Sequence, residues 1–259
     1  MAITDDGWDV TESVGATALG VVWSRAQENV SQCPLFTDPY AQMFLDAAAA
    51  RGWQLPPADM MEQIRSIAGY AASRTKWFDE FFIAAGANGI EQVVILAAGL
   101  DARAWRLPWV DETVIYEIDQ PNVLAFKAET LRDNDARPGA RYVQVAVDLG
   151  QDWPKALRDA GFDDTEPAAW ALEGVLAHLP VDDHALLLER IQELSADSSR
   201  IAIESPEAGI DVVDWLTERG WEVAPTTAAD LMDRYGRCGP DESDAAVPRA
   251  EFLDARRIC

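Results

Sequence analysis

The chain has 259 residues, 49% of them hydrophobic, which is enough for one large α/β domain with a packed core and argues against disorder. Its formal net charge of -24 and pI near 4.2 make nucleic acid and anionic membranes poor partners, because phosphate surfaces repel it. Cys33, Cys238 and Cys259 show no C-x-x-C spacing, so neither a zinc site nor a disulfide framework is indicated.

Residues 1–30 carry Asp5, Asp6, Asp9, Glu12 and Glu28 and no long apolar run, which argues against a signal peptide. No stretch approaches the roughly 20 apolar residues that span a bilayer. The expected location is the cytoplasm. Residues 1–90 read as a helical block. Thr11 or Ser13 caps a first segment through Ala18, Val21, Val22 and Ala26. Asp38-Pro39 starts a second, from Tyr40 to Arg51, which Pro56-Pro57 ends. Asp59 opens one longer helix through Ile64, Ile67, Trp77, Phe78, Phe81 and Phe82, ending near Gly86 and Gly89. The block is expected to cover the ligand end of the sheet that follows.

From residue 91 strands and helices alternate, which means βαβ units and a parallel sheet. Strands are expected at 93–97, 114–118, 142–147, 169–172 and 200–203, with helices near 102–107, 121–133, 152–160 and 182–196. The tail adds helices at 211–219 and 227–235 and short strands at 221–223 and 251–256. Gly236 to Pro248 reads as a linker-like zone, rich in Gly, Pro and Asp.

In an open parallel sheet the ligand lies beyond the carboxyl ends of the strands. The first strand ends in a small-residue turn, Ala97-Ala98-Gly99, where a ligand can approach the backbone. The next tips carry Asp119, then Asp148-Leu149, then Glu173-Gly174, then Glu204-Ser205. A single acid at a strand tip is often only a helix cap. Four aimed at one crevice suit a ligand with hydroxyls, an exocyclic amine and a positive charge. Phosphate-cradling glycines are absent, so S-adenosyl-L-methionine fits better than NAD.

The stretch Val93 to Leu107, with Tyr116-Glu117-Ile118-Asp119-Gln120-Pro121, Val147-Asp148-Leu149 and Leu172-Glu173-Gly174-Val175-Leu176, resembles the leucine carboxyl methyltransferase superfamily. The likeness is to its actinobacterial branch of S-adenosyl-L-methionine-dependent methyltransferases. Gly15-Ala16-Thr17-Ala18 and Tyr70 to Thr75 fit the same branch, and the similarity covers about residues 8–205. It implies a class I, Rossmann-like fold: an α/β protein with a mostly parallel seven-stranded sheet, helices on both faces and an N-terminal helical lid. Residues 1–90 are then the lid and 91–259 the cofactor-binding domain.

The resemblance also implies roles. Arg74 pairs with the methionine carboxylate of the cofactor, and Gly99 passes beneath the methionine part. Asp119 holds the ribose hydroxyls, Asp148 and Leu149 read the adenine, and Glu173 sits near the sulfonium or the cofactor amine. The plainer alternatives are a surface ion pair for Arg74 and a helix cap for Glu173. Three departures stand out. Ala97 replaces the usual first glycine, tolerable if the strand end stays extended. His178 stands where the family usually has Tyr. The chain after Glu204-Ser205-Pro206 is short, where relatives generally carry a longer segment that helps build the acceptor pocket.

The expected reaction is methyl transfer to a carboxylate or hydroxyl oxygen of a small molecule. Of the two histidines, His178 is the candidate base, with a pocket-lining role as the alternative, and His184 is expected to be solvent-exposed. No metal ligand set is indicated. Two further readings are a non-catalytic S-adenosyl-L-methionine-binding protein with a reduced acceptor site, and an NAD-dependent oxidoreductase.

Overall fold

Strand β1 (Gln92–Leu96) is buried at every residue, as its β-branched run predicts. Val93 and Ile95 enter one core, Val94 and Leu96 the other. The computed structural model describes residues 14–55, 57–237 and 248–258. Expected caps Thr11 and Ser13 lie outside them, as does most of the Gly236 to Pro248 zone.

Six more strands complete the sheet: β2 (Val114–Asp119), β3 (Arg141–Ala146), β4 (Ala168–Leu172), β5 (Arg200–Pro206), β6 (Trp221–Thr227) and β7 (Ala250–Arg257). Their order is β3-β2-β1-β4-β5-β7-β6. Strands β1 to β5 are parallel, and β7 runs antiparallel between β5 and β6. This is the expected Rossmann-like α/β class. Leu96 pairs with Ile118, Asp119 with Ala146, and Leu172 with Ile203, so the strand tips share one edge.

Helices cover both faces. Under α7 (Trp153–Asp159), α8 (Val181–Glu193) and α9 (Val212–Thr217) lie Leu96, Ile118, Trp170, Leu172 and Ile203. Under α4 (Ala68–Ala87) and α10 (Ala228–Arg234) the strands present Ala169, Ala171 and Ala202. Those alanines leave room for Phe78, Phe81 and Phe82 of α4, so bulk on the helix meets small residues on the sheet. The remaining helices are α1 (Val14–Glu28), α2 (Tyr40–Ala50), α3 (Ala58–Ser66), α5 (Arg103–Arg106) and α6 (Pro121–Asp133). Leu19, Val22, Phe44 and Ala48 of α1 and α2 pack on Leu100, Ala102 and Phe126. Asp38 Oδ1 accepts from the N–H groups of Tyr40 and Ala41, so it caps α2 across Pro39. Trp23 and Trp53 pack against the same cluster.

The long helix expected from Asp59 is two helices, broken at Ile67. Just past the break the chain beyond α10 lies close: a Cβ on Gly69 would stand 2.9 Å from the carbonyl oxygen of Arg237.

Candidate functional site

The turn after β1 is left-handed at two residues, Ala97 with φ 47° and Gly99 with φ 50°. The strand end therefore does not stay extended, and the expectation for Ala97 is corrected: its methyl is carried in a conformation suited to glycine. Ala97→Gly is expected to raise stability by about 1 kcal/mol, read as a higher Tm. An unchanged or lower Tm would contradict this. Gly99 lies under the N-terminal helices, since a Cβ there would sit 3.8 Å from the Cβ of Ala18.

The turn is tied to the next strand. The Gly99 N–H donates to Asp119 Oδ2 at 2.6 Å, and the Gln120 N–H donates to Oδ1 at 2.6 Å. Burial pushes the Asp119 carboxyl up from its ordinary range, against the pull of those two N–H groups. Two of its four lone-pair positions are used, leaving two for hydroxyl donors. Gln120 Nε2 donates to Asp148 Oδ2 at 3.1 Å. Asp119 and Asp148 are thus joined through one residue, Gln120, by its backbone N–H and its side chain. Asp148 is exposed and also accepts from the Gly150 N–H at 2.8 Å. Leu149 is half-buried on the core, and its carbonyl accepts from Arg190 Nη1 at 3.3 Å.

Across the edge, Arg74 meets two carboxylates. Its Nε is 3.0 Å from Glu173 Oε1, and Nη1 lies 3.2 and 3.3 Å from the two oxygens of Glu204. The Tyr70 hydroxyl, one helical turn earlier on α4, donates to Glu204 Oε1. Arg103 is buried and reaches three acids: Nη1 donates to Glu173 Oε2 at 2.7 Å and to Asp101, and Nε donates to Asp79 at 2.7 Å. Arg106 joins Asp79 from the other side at 2.5 Å.

The cluster sets its own charge states. Burial opposes each ion, but Glu204 and Glu173 hold the Arg74 guanidinium above its ordinary range. Against burial, Arg103 keeps Asp101 down at about 2, and Arg103 with Arg74 keeps Glu173 low. Asp79, Asp101, Glu173 and Glu204 face Arg74, Arg103 and Arg106, one negative charge in excess. S-adenosyl-L-methionine carries two positive groups and one carboxylate, so the excess complements it. With the half-satisfied Asp119, the donor set fits that cofactor.

Beneath the β2 tip, Lys127 Nζ donates to Glu117 Oε2 at 2.5 Å, both groups fully buried, and the Tyr142 hydroxyl donates to the same oxygen at 2.7 Å. Burial lifts the Glu117 carboxyl to about 7 although Lys127 pulls it down. The folded pKa lies above the unfolded value, so this group's contribution declines as pH rises from about 4.5 towards 7. In Lys127→Met the folded pKa climbs further. The deficit of that variant against wild type is therefore expected to widen above about pH 7. Urea unfolding at pH 6 and pH 9 reads this, and equal deficits would contradict it.

The histidines divide contrary to one expectation. His178 is exposed on the 3-10 turn after β4, and its Nδ1–H donates to the Gly174 carbonyl at 2.7 Å. A carbonyl only accepts, so Nδ1 carries the proton and Nε2 keeps the free lone pair. His184 is buried rather than exposed, with Nε2 2.8 Å from the Leu176 carbonyl. It shares a helix face with Leu187, Leu188 and Ile191, a spacing visible in the sequence that the neighbouring aspartates masked. Arg103 and Tyr70, absent from the expected set, both lay inside quoted motifs. Only the fold brings Asp79 and Glu204 to them.

Beyond β5 and β6 a groove of about 610 Å³ opens, its apolar lining including Ile210, Val212 and Leu253. Its charged lining residues are Glu207, Asp211, Glu251 and Arg249.

The sequence profile of the leucine carboxyl methyltransferase family matches residues 18–192. The chain belongs to that family. A relative from Mycobacterium sp. (strain MCS), named "Putative S-adenosyl-L-methionine-dependent methyltransferase", is 53% identical over 242 residues. That alignment covers 93% of this chain and 99% of the relative. A relative of the same name from Mycolicibacterium paratuberculosis is 43% identical over 306 residues, covering 98% of each. An alignment longer than the 259-residue chain means that the second relative carries internal residues missing here. The first shares the compact size. In fold, the chain is similar to a DUF574 family protein from Streptomyces avermitilis (TM-score 0.58, 15% identity, 93% and 97% covered). It is also similar to magnesium protoporphyrin IX methyltransferase from Synechocystis, solved with bound SAM (TM-score 0.53, 13% identity, 92% and 97% covered). The family is one of S-adenosyl-L-methionine-dependent methyltransferases, and the oxidoreductase alternative falls with that finding. No helix among the described residues is long and apolar enough to cross a membrane.

Proposed function

We propose that the protein moves a methyl group from S-adenosyl-L-methionine to a hydroxyl oxygen of a small molecule seated in the groove beyond β5. The observation that supports this is the shared edge of strand tips, where Asp119 accepts from Gly99 and is linked to Asp148 through Gln120, and where Arg74 pairs with Glu173. Asp119 would hold the ribose hydroxyls with its two remaining lone-pair positions. Asp148 and the Leu149 backbone would read the adenine, Arg74 the carboxylate, with Gly99 beneath. When bound, the cofactor supplies an electrophilic methyl on a sulfonium.

The chain's own contribution is alignment, water exclusion and proton handling. The helices of residues 1–90 act as the lid, with Ala18 above Gly99. A groove of about 610 Å³ suits a small molecule. Its three acids against one arginine disfavour an anionic acceptor, which speaks for a hydroxyl over a free carboxylate. A hydroxyl needs a base, and His178 Nε2 is available on a turn packed against β5.

The test is transfer of labelled methyl groups to matched panels of hydroxyl and carboxylate acceptors. Hydroxyl acceptors are expected to react, with kcat lowered about 10²-fold or more in His178→Gln. Turnover of carboxylates alone, indifferent to His178, would overturn the hydroxyl assignment. Cofactor binding with no transfer to either panel would favour a non-catalytic binding protein.

A further inference from the structure

Resting on the reading that the groove beyond β5 seats the acceptor, we infer that this acceptor carries a protonated amine as well as its hydroxyl, and that Glu251 and Ser205 together receive the ammonium group. The two residues are direct partners on the antiparallel strands β5 and β7, and Glu251 is paired in turn with Thr227 on β6. Directly opposed residues of such pairs share a face, with Cβ atoms about 4.5–5.5 Å apart. Ser205, Glu251 and Thr227 therefore form a polar row across three strands, and all three line the groove. The neighbouring row on the same face is Ile203, Leu253 and Pro225, of which Ile203 and Leu253 are fully buried. The face thus changes from apolar to polar in one step, where the groove opens.

The protein uses the other polar groups of the groove itself. Glu207 pairs with Arg249 at 3.4 Å. Asp211 Oδ1 accepts the Asp214 N–H at 3.0 Å and caps α9. The Thr227 hydroxyl donates to Asp230 Oδ2 at 2.7 Å and accepts the Asp230 N–H at 3.1 Å, capping α10. Glu251 and Ser205 are left. Neither side chain has a hydrogen bond or ion pair among the described residues. Glu251 is exposed, but Ser205 is only 8% exposed. A hydroxyl this buried normally has a partner. Ser205 finds none in the protein and lines the groove, where a ligand can supply one.

The chemistry of the pair names the group it takes. A carboxylate only accepts, and a serine oxygen has lone pairs to accept with. An ammonium has three donors, so one group reaches both oxygens, and its charge offsets that of Glu251 as the ligand displaces water. A carboxylate on the ligand would face Glu251 with no cation between them. A neutral hydroxyl has a single donor and leaves the charge unmatched. Leu253, Ile210 and Val212 give the groove an apolar stretch that suits a hydrocarbon body. The acceptor class is thus an apolar small molecule with a hydroxyl at one end and a protonated amine at the other.

The probes are three phenols that differ in one group: tyramine, 4-propylphenol with a methyl in place of the ammonium, and 3-(4-hydroxyphenyl)propionate with a carboxylate there. Isothermal titration in saturating S-adenosylhomocysteine measures their binding to wild type, Glu251→Gln and Ser205→Ala, and labelled methyl transfer measures turnover. Wild type is expected to bind tyramine about tenfold or more tightly than 4-propylphenol, and the propionate most weakly. Glu251→Gln is expected to remove most of that preference and Ser205→Ala part of it, with 4-propylphenol unchanged in both. Equal binding of tyramine and 4-propylphenol to wild type overturns the assignment, as does a preference that survives Glu251→Gln or a failure of all three to bind. Losses as large for 4-propylphenol as for tyramine would mean a structural role and overturn it too. Glu251-dependent binding of tyramine without methyl transfer would uphold the amine site and count against the groove as the acceptor site. The wild-type comparison needs no variant to fold.

Discussion

Arg103→Met is expected to cost about 3–5 kcal/mol of stability, enough to leave a marginal domain largely unfolded. Arg103 is 1% exposed and is the common partner of Asp101, Asp79 and Glu173. Methionine fills much of the volume, so packing is largely kept and the loss is electrostatic. Asp79 retains Arg106 and Glu173 retains Arg74, but Asp101 loses its principal cation. The pH dependence follows from that residue. Its folded pKa of about 2 lies below the ordinary 3.8, so its contribution is complete above about pH 4 and is lost as pH falls through 2. In Arg103→Met that acid limb is expected to shrink or reverse, with the variant gaining on wild type as pH drops. Chemical denaturation of both proteins between pH 3 and 8 measures it. A cost below about 1 kcal/mol, typical of an exposed pair, would contradict the buried network.

Asp119→Ala is expected to weaken S-adenosylhomocysteine binding about a hundredfold or more, since two charge-assisted hydrogen bonds to the ribose are lost together. A smaller stability loss of about 1–3 kcal/mol accompanies it, because the Gly99 N–H loses its acceptor. The exposed Asp148 separates the two effects. Asp148→Ala is expected to weaken binding by a smaller factor with almost no change in stability. Calorimetric titration beside a melting curve for each variant reads both quantities. Full affinity in a folded Asp119→Ala protein would remove Asp119 from the site.

The central strands were legible because their apolar runs are buried on both faces, and β1 and β4 show that pattern without interruption. The edge strand β6 runs to Thr227, well past the 221–223 expected, and the extension was not readable because Ala224-Pro225-Thr226-Thr227 is half-polar and mostly exposed. Pro225 fits an edge strand, where its missing N–H is no loss. The break at Ile67 was illegible, since no Pro or Gly stands at 66–68 and Ile67 continues the apolar spacing. The acids at the strand tips were readable one by one from the alternation of elements. Their partners were not. Glu173 and Glu204 look alike in sequence, and only the fold brings Arg103 to Glu173 and Tyr70 to Glu204.

The most direct test of the account is a crystal structure with S-adenosylhomocysteine bound. The ribose hydroxyls are predicted within hydrogen-bond distance of Asp119, and the amino-acid head beside Arg74. Ligand found instead in the groove beside Leu253, with Asp119 still bonded only to Gly99 and Gln120, would contradict it.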